Sequence, residues 1–313
     1  MDKKDKIYVT GHSGLVGSVL MAVLKNSGYK NIITRTSSEL NLTVQEQTAR
    51  FFRETQPDYV FLLAAKKGGI AANKERPVDF IYPNLMIECN VINSAYESKV
   101  RKLFFLACSM VYPKECEQPT REDYMLSGKP EPTSLSHTMA KISGIVLCQS
   151  YNTQYKMNFI SAVASNIFGE NDNFDPAGGH VIPSLIKRFH DAKLKNAPEV
   201  EIWGTGKPTR DFIYVGDVVD AILFLTEKYD SPELINISTG RDVSIGELAQ
   251  TIKEVVGYKG KLVFDTTKPD GAPKRALDNK KISSLGWQPK TPLKEGLEKT
   301  YRWWLDNKSA DES

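Results

Sequence analysis

Residues 6–10 form a short apolar stretch that runs directly into Gly11-His12-Ser13-Gly14-Leu15-Val16-Gly17, and from there into the helical run Val19-Leu20-Met21-Ala22-Val23-Leu24. No other feature narrows the possible folds so far. Glycines at every third position between a strand and a helix permit a tight turn and let the backbone approach a bound group closely. The helix they open offers unsatisfied N–H groups and the positive end of its dipole, a combination suited to a pyrophosphate. Strand, glycine turn and helix in this order predict the first unit of a doubly wound parallel sheet. Gly11, His12, Ser13, Gly14, Leu15, Val16 and Gly17 are then the candidate dinucleotide contacts.

The alternation continues. Residues 31–35 read as a second strand, 45–54 as a helix that stops before Pro57, and 59–65 as a third strand. That third strand has no polar alternation, as expected where helices cover both faces of a parallel sheet. A helix at 84–98, an apolar strand at 102–108, a helix at 138–154 and a strand at 158–165 extend the pattern. Beyond lie a loop rich in Asn, Asp and Gly at 169–179, a helix at 180–192, a strand at 200–203, and helices at 217–228 and 244–256. The fold expected is α/β, a Rossmann sheet over residues 1–165 to which the chain returns around 210–243. A smaller C-terminal α/β domain, 166–209 and 244–313, is expected to bind substrate, with 308–313 as a frayed tail.

The 313 residues carry 41 basic and 38 acidic side chains, a net charge of +3. Such a balance gives no reason to expect nucleic acid or a membrane surface as partner, so an anionic ligand must be held locally. Cys89, Cys108, Cys116 and Cys148 lack metal-ligand or C-x-x-C spacing, which predicts no metal and reduced thiols. With no apolar leader after Met-Asp-Lys-Lys-Asp-Lys and no apolar run of ~18 residues, a cytoplasmic protein is expected. The second strand ends Thr34-Arg35-Thr36-Ser37-Ser38, and no acid appears before Glu39. An arginine where a carboxylate would bind a ribose 2′-hydroxyl favours the 2′-phosphate of NADP(H).

Further along stand Leu63-Ala64-Ala65-Lys66-Lys67-Gly68-Gly69-Ile70, Asp79-Phe80-Ile81-Tyr82-Pro83-Asn84 and Asp172-Asn173-Phe174. They are followed by Gly179-His180-Val181-Ile182-Pro183, Trp203-Gly204-Thr205-Gly206 and Lys268-Pro269-Asp270-Gly271. With a Gly-x-x-Gly-x-x-Gly turn, these resemble the extended short-chain dehydrogenase/reductase family. Within it they are similar to the GDP-L-fucose synthase-like enzymes, the GDP-4-keto-6-deoxymannose epimerase-reductases, and the likeness runs from residue 6 to residue 304.

The resemblance implies a reduction carried by Ser, Tyr and Lys, in which tyrosine protonates the oxygen at C4, lysine lowers its pKa and holds the nicotinamide ribose, and serine hydrogen-bonds the ketone. Lys141 takes the lysine's place, but His137 stands at the tyrosine position and Cys108 at the serine position, with Ser109 beside it. Histidine's ordinary pKa suits a general acid, although Lys141 disfavours the imidazolium. The family's epimerisation needs a Cys and a His on opposite faces of the sugar. His180 fills the second place and Met110 the first, and a thioether cannot exchange a proton.

The resemblance also implies cofactor contacts at Ala64, Ala65 and Lys141. Nucleotide-diphosphate contacts would fall at Arg188, Trp203, Arg210 and Lys268, with Asn166 near the sugar and Asp270 on the guanine. The helices at 84–98 and 138–154 correspond to a dimeric four-helix interface, hence an expected homodimer. The expected activity is NADPH-dependent C4 reduction of a GDP-4-keto-6-deoxy hexose or heptose with weak or no C3/C5 epimerisation. The alternatives are a full GDP-L-fucose synthase, a catalytically silent nucleotide-sugar or NADP-binding homologue, and a dehydrogenase or dehydratase that recycles a retained cofactor.

Overall fold

The computed structural model describes residues 1–175 and 180–307. The first half runs β1 (Ile7–Thr10), α1 (Leu15–Asn26), β2 (Ile32–Ile33), α2 (Gln45–Thr55), β3 (Tyr59–Leu62), α3 (Ile70–Glu75), α4 (Val78–Glu97), β4 (Lys102–Cys108), α5 (Leu135–Tyr155) and β5 (Phe159–Ala164). Then follow β6 (Asn166–Phe168), α6 (Val181–Leu194), β7 (Glu199–Trp203), β8 (Thr209–Arg210), β9 (Phe212–Tyr214), α7 (Val215–Lys228) and β10 (Ile235–Ile237). The chain closes with β11 (Val243–Ser244), α8 (Ile245–Val256), β12 (Lys261–Asp265), β13 (Lys274–Arg275), α9 (Lys280–Ser284) and α10 (Leu293–Asn307). Residues 176–179 of the expected loop, Gly179 among them, and the expected frayed tail 308–313 lie outside the described residues.

Six strands form one sheet in the order β10-β5-β4-β3-β1-β2, and every pairing in it is parallel. Neighbouring residues on a strand face opposite ways, and here both faces are covered. Ile7, Val9, Phe61 and Phe104 pack with Leu20 and Leu24 of α1 and Val219 and Ile222 of α7. Tyr8, Val60, Leu62 and Phe105 pack on the other side with Phe52 of α2, Ile92 of α4 and Ile145 of α5. That is the physical reason these strands read as unbroken apolar runs, and the doubly wound α/β fold is as expected. The chain leaves β1 for β2 on one side and β3 on the other, so the switch point opens at the carboxyl end of β1, beside the glycine turn.

A third apolar cluster, with Ile186 and Phe189 of α6, Leu248 and Ile252 of α8, and Leu297, Tyr301 and Trp304 of α10, supports the C-terminal elements. Most boundaries shift by one to three residues from the sequence reading, β2 shrinking to Ile32–Ile33 and α5 starting early at Leu135, and two shifts have a visible cause. The third strand ends at Leu62 because Thr10 Oγ1 takes the next two amides, accepting from Leu63 N at 2.9 Å and Ala64 N at 3.0 Å. Helix α4 starts at Val78, six residues early, and runs through Pro83; beside that proline, Asn84 Nδ2 donates to the Phe80 carbonyl at 2.7 Å.

Candidate active site

At the switch point Gly11 adopts φ +66°, and a Cβ there would lie 2.9 Å from Ala64 N. At Gly17 a Cβ would come within 2.1 Å of the Gly11 carbonyl oxygen. Both positions therefore require glycine, and the turn lies pressed between α1 and the end of β3. No acid occupies the first turn of α1, and His12 Nδ1 is buried with no partner among the described residues. A backbone cradle that side chains would fill, with an orphaned polar atom beside it, fits a dinucleotide pyrophosphate. Arg35 lies exposed 5.4 Å from the centre of the Phe51 ring. Glu39, the first acid after it, is already engaged by Thr36 N at 2.7 Å and Thr36 Oγ1 at 2.8 Å.

Helices α4 and α5 carry the centre of the site. Lys141 is buried on α5, its Nζ 3.0 Å from Glu88 Oε1 of α4 and 4.6 Å from the Phe105 ring centre. Burial pushes the Glu88 carboxyl up and Lys141 opposes the shift. One turn before Lys141, His137 is half-buried, with Nδ1 3.3 Å from Asn84 Nδ2. Burial first, then the charges of Lys141 and Lys67, lower the His137 pKa to about 4, so the imidazole is neutral near pH 7. Asn84 also accepts from Lys66 N at 2.7 Å and donates to Lys66 O at 3.0 Å, which ties the loop after β3 to His137.

Cys108 ends β4, and Ser109 and Met110 begin the short 3₁₀ turn Ser109–Val111. Ser109 lines a narrow cleft with Ser165, Asn166 and Arg275. Tyr112 lines the same cleft but is buried, its hydroxyl donating to Asn236 Oδ1 at 2.5 Å. His180 caps α6 with its side chain 66% exposed, 3.9 Å from the Asp172 carboxylate, whose side chain is 6% exposed. Asp172 Oδ2 has no hydrogen-bond partner among the described residues, and burial raises this carboxyl's pKa.

On the C-terminal side, Trp203 is exposed at the end of β7, with Lys268 Nζ 5.9 Å from its ring centre. Asp270 holds the adjoining turn, accepting from Thr205 N at 2.9 Å and Thr205 Oγ1 at 2.7 Å. Arg210 donates to the Ala272 carbonyl at 2.7 Å, Arg188 to the Glu201 carbonyl at 2.8 Å, and Asn166 to the Asp211 carbonyl at 2.8 Å. Trp203, Lys268 and Asp270 thus share one turn region, whereas Arg188 is bound to the backbone of β7. Sequence reasoning missed Lys67, Glu88 and Asp172 as site residues. A lone carboxylate in the apolar run Leu85-Met86-Ile87-Glu88 was the available signal for the second.

A switch-point cradle for a dinucleotide, with a buried lysine beside it on the helix that follows β4, defines a Rossmann-type oxidoreductase. The chain belongs to the NAD dependent epimerase/dehydratase family, whose profile matches residues 7–238. It is 49% identical over 306 residues to GDP-L-fucose synthase 1 of Arabidopsis thaliana, covering 98% of this chain and 95% of that one. With the GDP-L-fucose synthase of Escherichia coli strain K12 it shares 45% over 313 residues, covering 97% and 98%. Among solved structures, the GDP-mannoheptose C4 reductase of Campylobacter jejuni with NADP bound matches at a TM-score of 0.90 and 39% identity, over 97% of this chain and 99% of that chain. The family resemblance read from the motifs is borne out.

Proposed function

We propose that this chain reduces the C4 carbonyl of a GDP-linked 4-keto-6-deoxy sugar, hexose or heptose, and leaves C3 and C5 unchanged. It is an NADP-dependent oxidoreductase acting on nucleotide sugars, as its homologues are. When bound, NADPH supplies a hydride to the carbonyl carbon. The glycine turn and the N-terminus of α1 hold the pyrophosphate, Arg35 meets the 2′-phosphate, and Lys141 fixes the nicotinamide ribose. Ser109, with Cys108 beside it, donates to the carbonyl oxygen. Arg188, Trp203, Arg210 and Lys268 receive the nucleotide diphosphate, and Asp270, whose two oxygens already hold Thr205, offers its remaining lone pairs to the base.

Met110 carries the C4-only reading. It stands on the turn after β4, next to the cleft-lining Ser109, where epimerisation would need an exchangeable proton. His180 remains as a base, but one base without an opposing acid cannot invert a carbon centre. The neutral His137 favours a second reading, a homologue that binds both ligands and turns neither over.

Among the described residues no helix is long and apolar enough to cross a membrane. All four cysteines are free, in keeping with a reduced cytoplasm. The exposed apolar residues Val78 and Tyr82 on α4, and Leu135, Met139 and Val146 on α5, support a homodimer through these helices.

The deciding experiment is proton NMR in D₂O with NADPH and GDP-4-keto-6-deoxymannose. Cofactor oxidation without deuterium at C3 and C5 is expected. Deuterium at both carbons would establish a full GDP-L-fucose synthase, and binding without oxidation would favour the silent homologue.

A further inference from the structure

Glu88 is a buried carboxylate with little to hold it. Its side chain is 2% exposed, and neither oxygen accepts an aligned hydrogen bond from any described residue. Asp217, buried on α7, has the usual provision, accepting from Thr291 N at 2.9 Å and from Thr291 Oγ1 at 3.0 Å. Glu88 has instead the Lys141 ammonium at 3.0 Å, and Gly144, one turn further along α5, leaves room for the carboxylate. Such a pair adds little stability, so its effect on the lysine is what counts. Lys141 gains a counter-charge, yet none of its three N–H donors is spent in an aligned hydrogen bond to Glu88. The Phe105 ring centre, 4.6 Å from Nζ, steadies the charge from another side. On the same two helices, one turn earlier, Asn84 meets His137 at 3.3 Å. Asn84 is also bonded to Lys66, two residues past the Ala64 amide against which Gly11 packs, so the pair stands close to the dinucleotide cradle.

We propose that Glu88 is the positioning residue of Lys141: it fixes the ammonium in place and keeps it charged away from water, leaving its N–H groups to the hydroxyls of the nicotinamide ribose. The proposal deepens, and rests on, the reading that Lys141 holds that ribose. A buried ammonium deprived of its counter-charge gives up its proton at lower pH. The amine left behind would make ordinary hydrogen bonds where the ammonium makes the stronger charge-assisted ones. Burial acts on Glu88 in the matching sense, raising its pKa, and Lys141 counters it, so each partner keeps the other ionised. Cys89 on α4, His137 and Cys148 on α5, and Lys67 after β3 are the other titratable groups within electrostatic reach of the pair.

The test measures dissociation constants for NADPH and for adenosine 2′,5′-bisphosphate, at pH 6.5 and pH 8.5, in the wild type, Glu88→Gln, Glu88→Asp and Lys141→Met. The second ligand carries the cofactor's adenosine and 2′-phosphate but no nicotinamide ribose. Glu88→Gln should weaken NADPH about 10- to 100-fold at pH 8.5, the worth of a hydrogen bond to a charged group, and less at pH 6.5. Glu88→Asp keeps the charge and serves where Glu88→Gln does not fold; it should weaken NADPH equally at the two pH values, because the ammonium is displaced but not discharged. Lys141→Met should weaken NADPH at both. The bisphosphate should bind all four proteins alike. Wild-type affinity for NADPH in Glu88→Gln at both pH values, with Lys141→Met weakened, would overturn the positioning role alone. Equal losses for NADPH and the bisphosphate in the Glu88 variants would make Glu88 a part of the fold only, and would overturn it too. Wild-type NADPH affinity in Lys141→Met would instead fail the ribose reading, and the role of Glu88 with it.

Discussion

The imidazole of His137 is kept uncharged by its surroundings, and that has a thermodynamic consequence apart from catalysis. Its pKa falls from 6.5 to about 4 on folding, with burial as the largest cause. The unfolded chain therefore binds more protons between those values, so stability rises with pH across that window. The contribution is complete above pH 6.5 and is lost as the pH falls towards about 4, a difference on the order of 3 kcal/mol. Urea denaturation at intervals from pH 7.5 to pH 4.5 should show this slope, and His137→Gln should flatten it; an unchanged slope would refute the buried neutral histidine. The exchange of tyrosine for histidine four residues before Lys141 was legible in the sequence, as was the sign of the lysine's influence. Burial and the approach of Lys67 were not, because they come from a loop seventy residues upstream that only the fold brings to α5.

At the level of elements, α4 and α5 pack side by side around one buried ion pair. The Lys141 and Glu88 side chains are 5% and 2% exposed, and a Cβ at Gly144 would meet the Phe105 ring at 2.6 Å and Glu88 Oε2 at 2.8 Å, so ring and carboxylate together fill the space that glycine leaves. Such a pair adds little net stability over an apolar pair of similar size, because both charges were taken out of water. Removing one partner is another matter. Glu88→Ala should cost about 3–5 kcal/mol by leaving Lys141 charged and alone, and Glu88→Leu combined with Lys141→Met should recover most of that without activity. Urea melts at pH 7 of the two variants check this, and a double variant no more stable than Glu88→Ala would refute it. The apolar run before Glu88 was a signal that this carboxylate is special, but its partner on α5 was not readable, since a glutamate within a helix ordinarily points to solvent. Most element positions were readable from apolar runs. The start of α4 was not, since Pro83 marks a break to a reader of sequence, whereas in the fold it sits inside the helix, where the Asn84 side chain bonds the buried Phe80 carbonyl beside it.

For the molecule as a whole, the outer faces of the same two helices matter. Val78, Tyr82 and Cys89 on α4 stand at the spacing i, i+4, i+11, and Leu135, Met139 and Val146 on α5 repeat it. At 100° per residue each trio falls within an arc of about 40°, and all six residues are exposed. Two parallel apolar stripes on adjacent helices are self-complementary under a two-fold axis, which would bring four helices together and bury both stripes. The inner faces carry Asn84, Glu88, His137 and Lys141, so such an interface would brace the site from behind. Val146 is 41% exposed in the single chain, and a charge there costs the monomer's fold little. In the dimer it would be desolvated against an apolar partner. Val146→Glu should therefore sediment at 35.1 kDa where the unaltered protein sediments at twice that mass. Its NADPH affinity should be retained, since the glycine turn and Arg35 belong to a single chain. A variant that remains dimeric would place the interface elsewhere, and an unaltered protein that sediments at 35.1 kDa would leave these stripes to another partner.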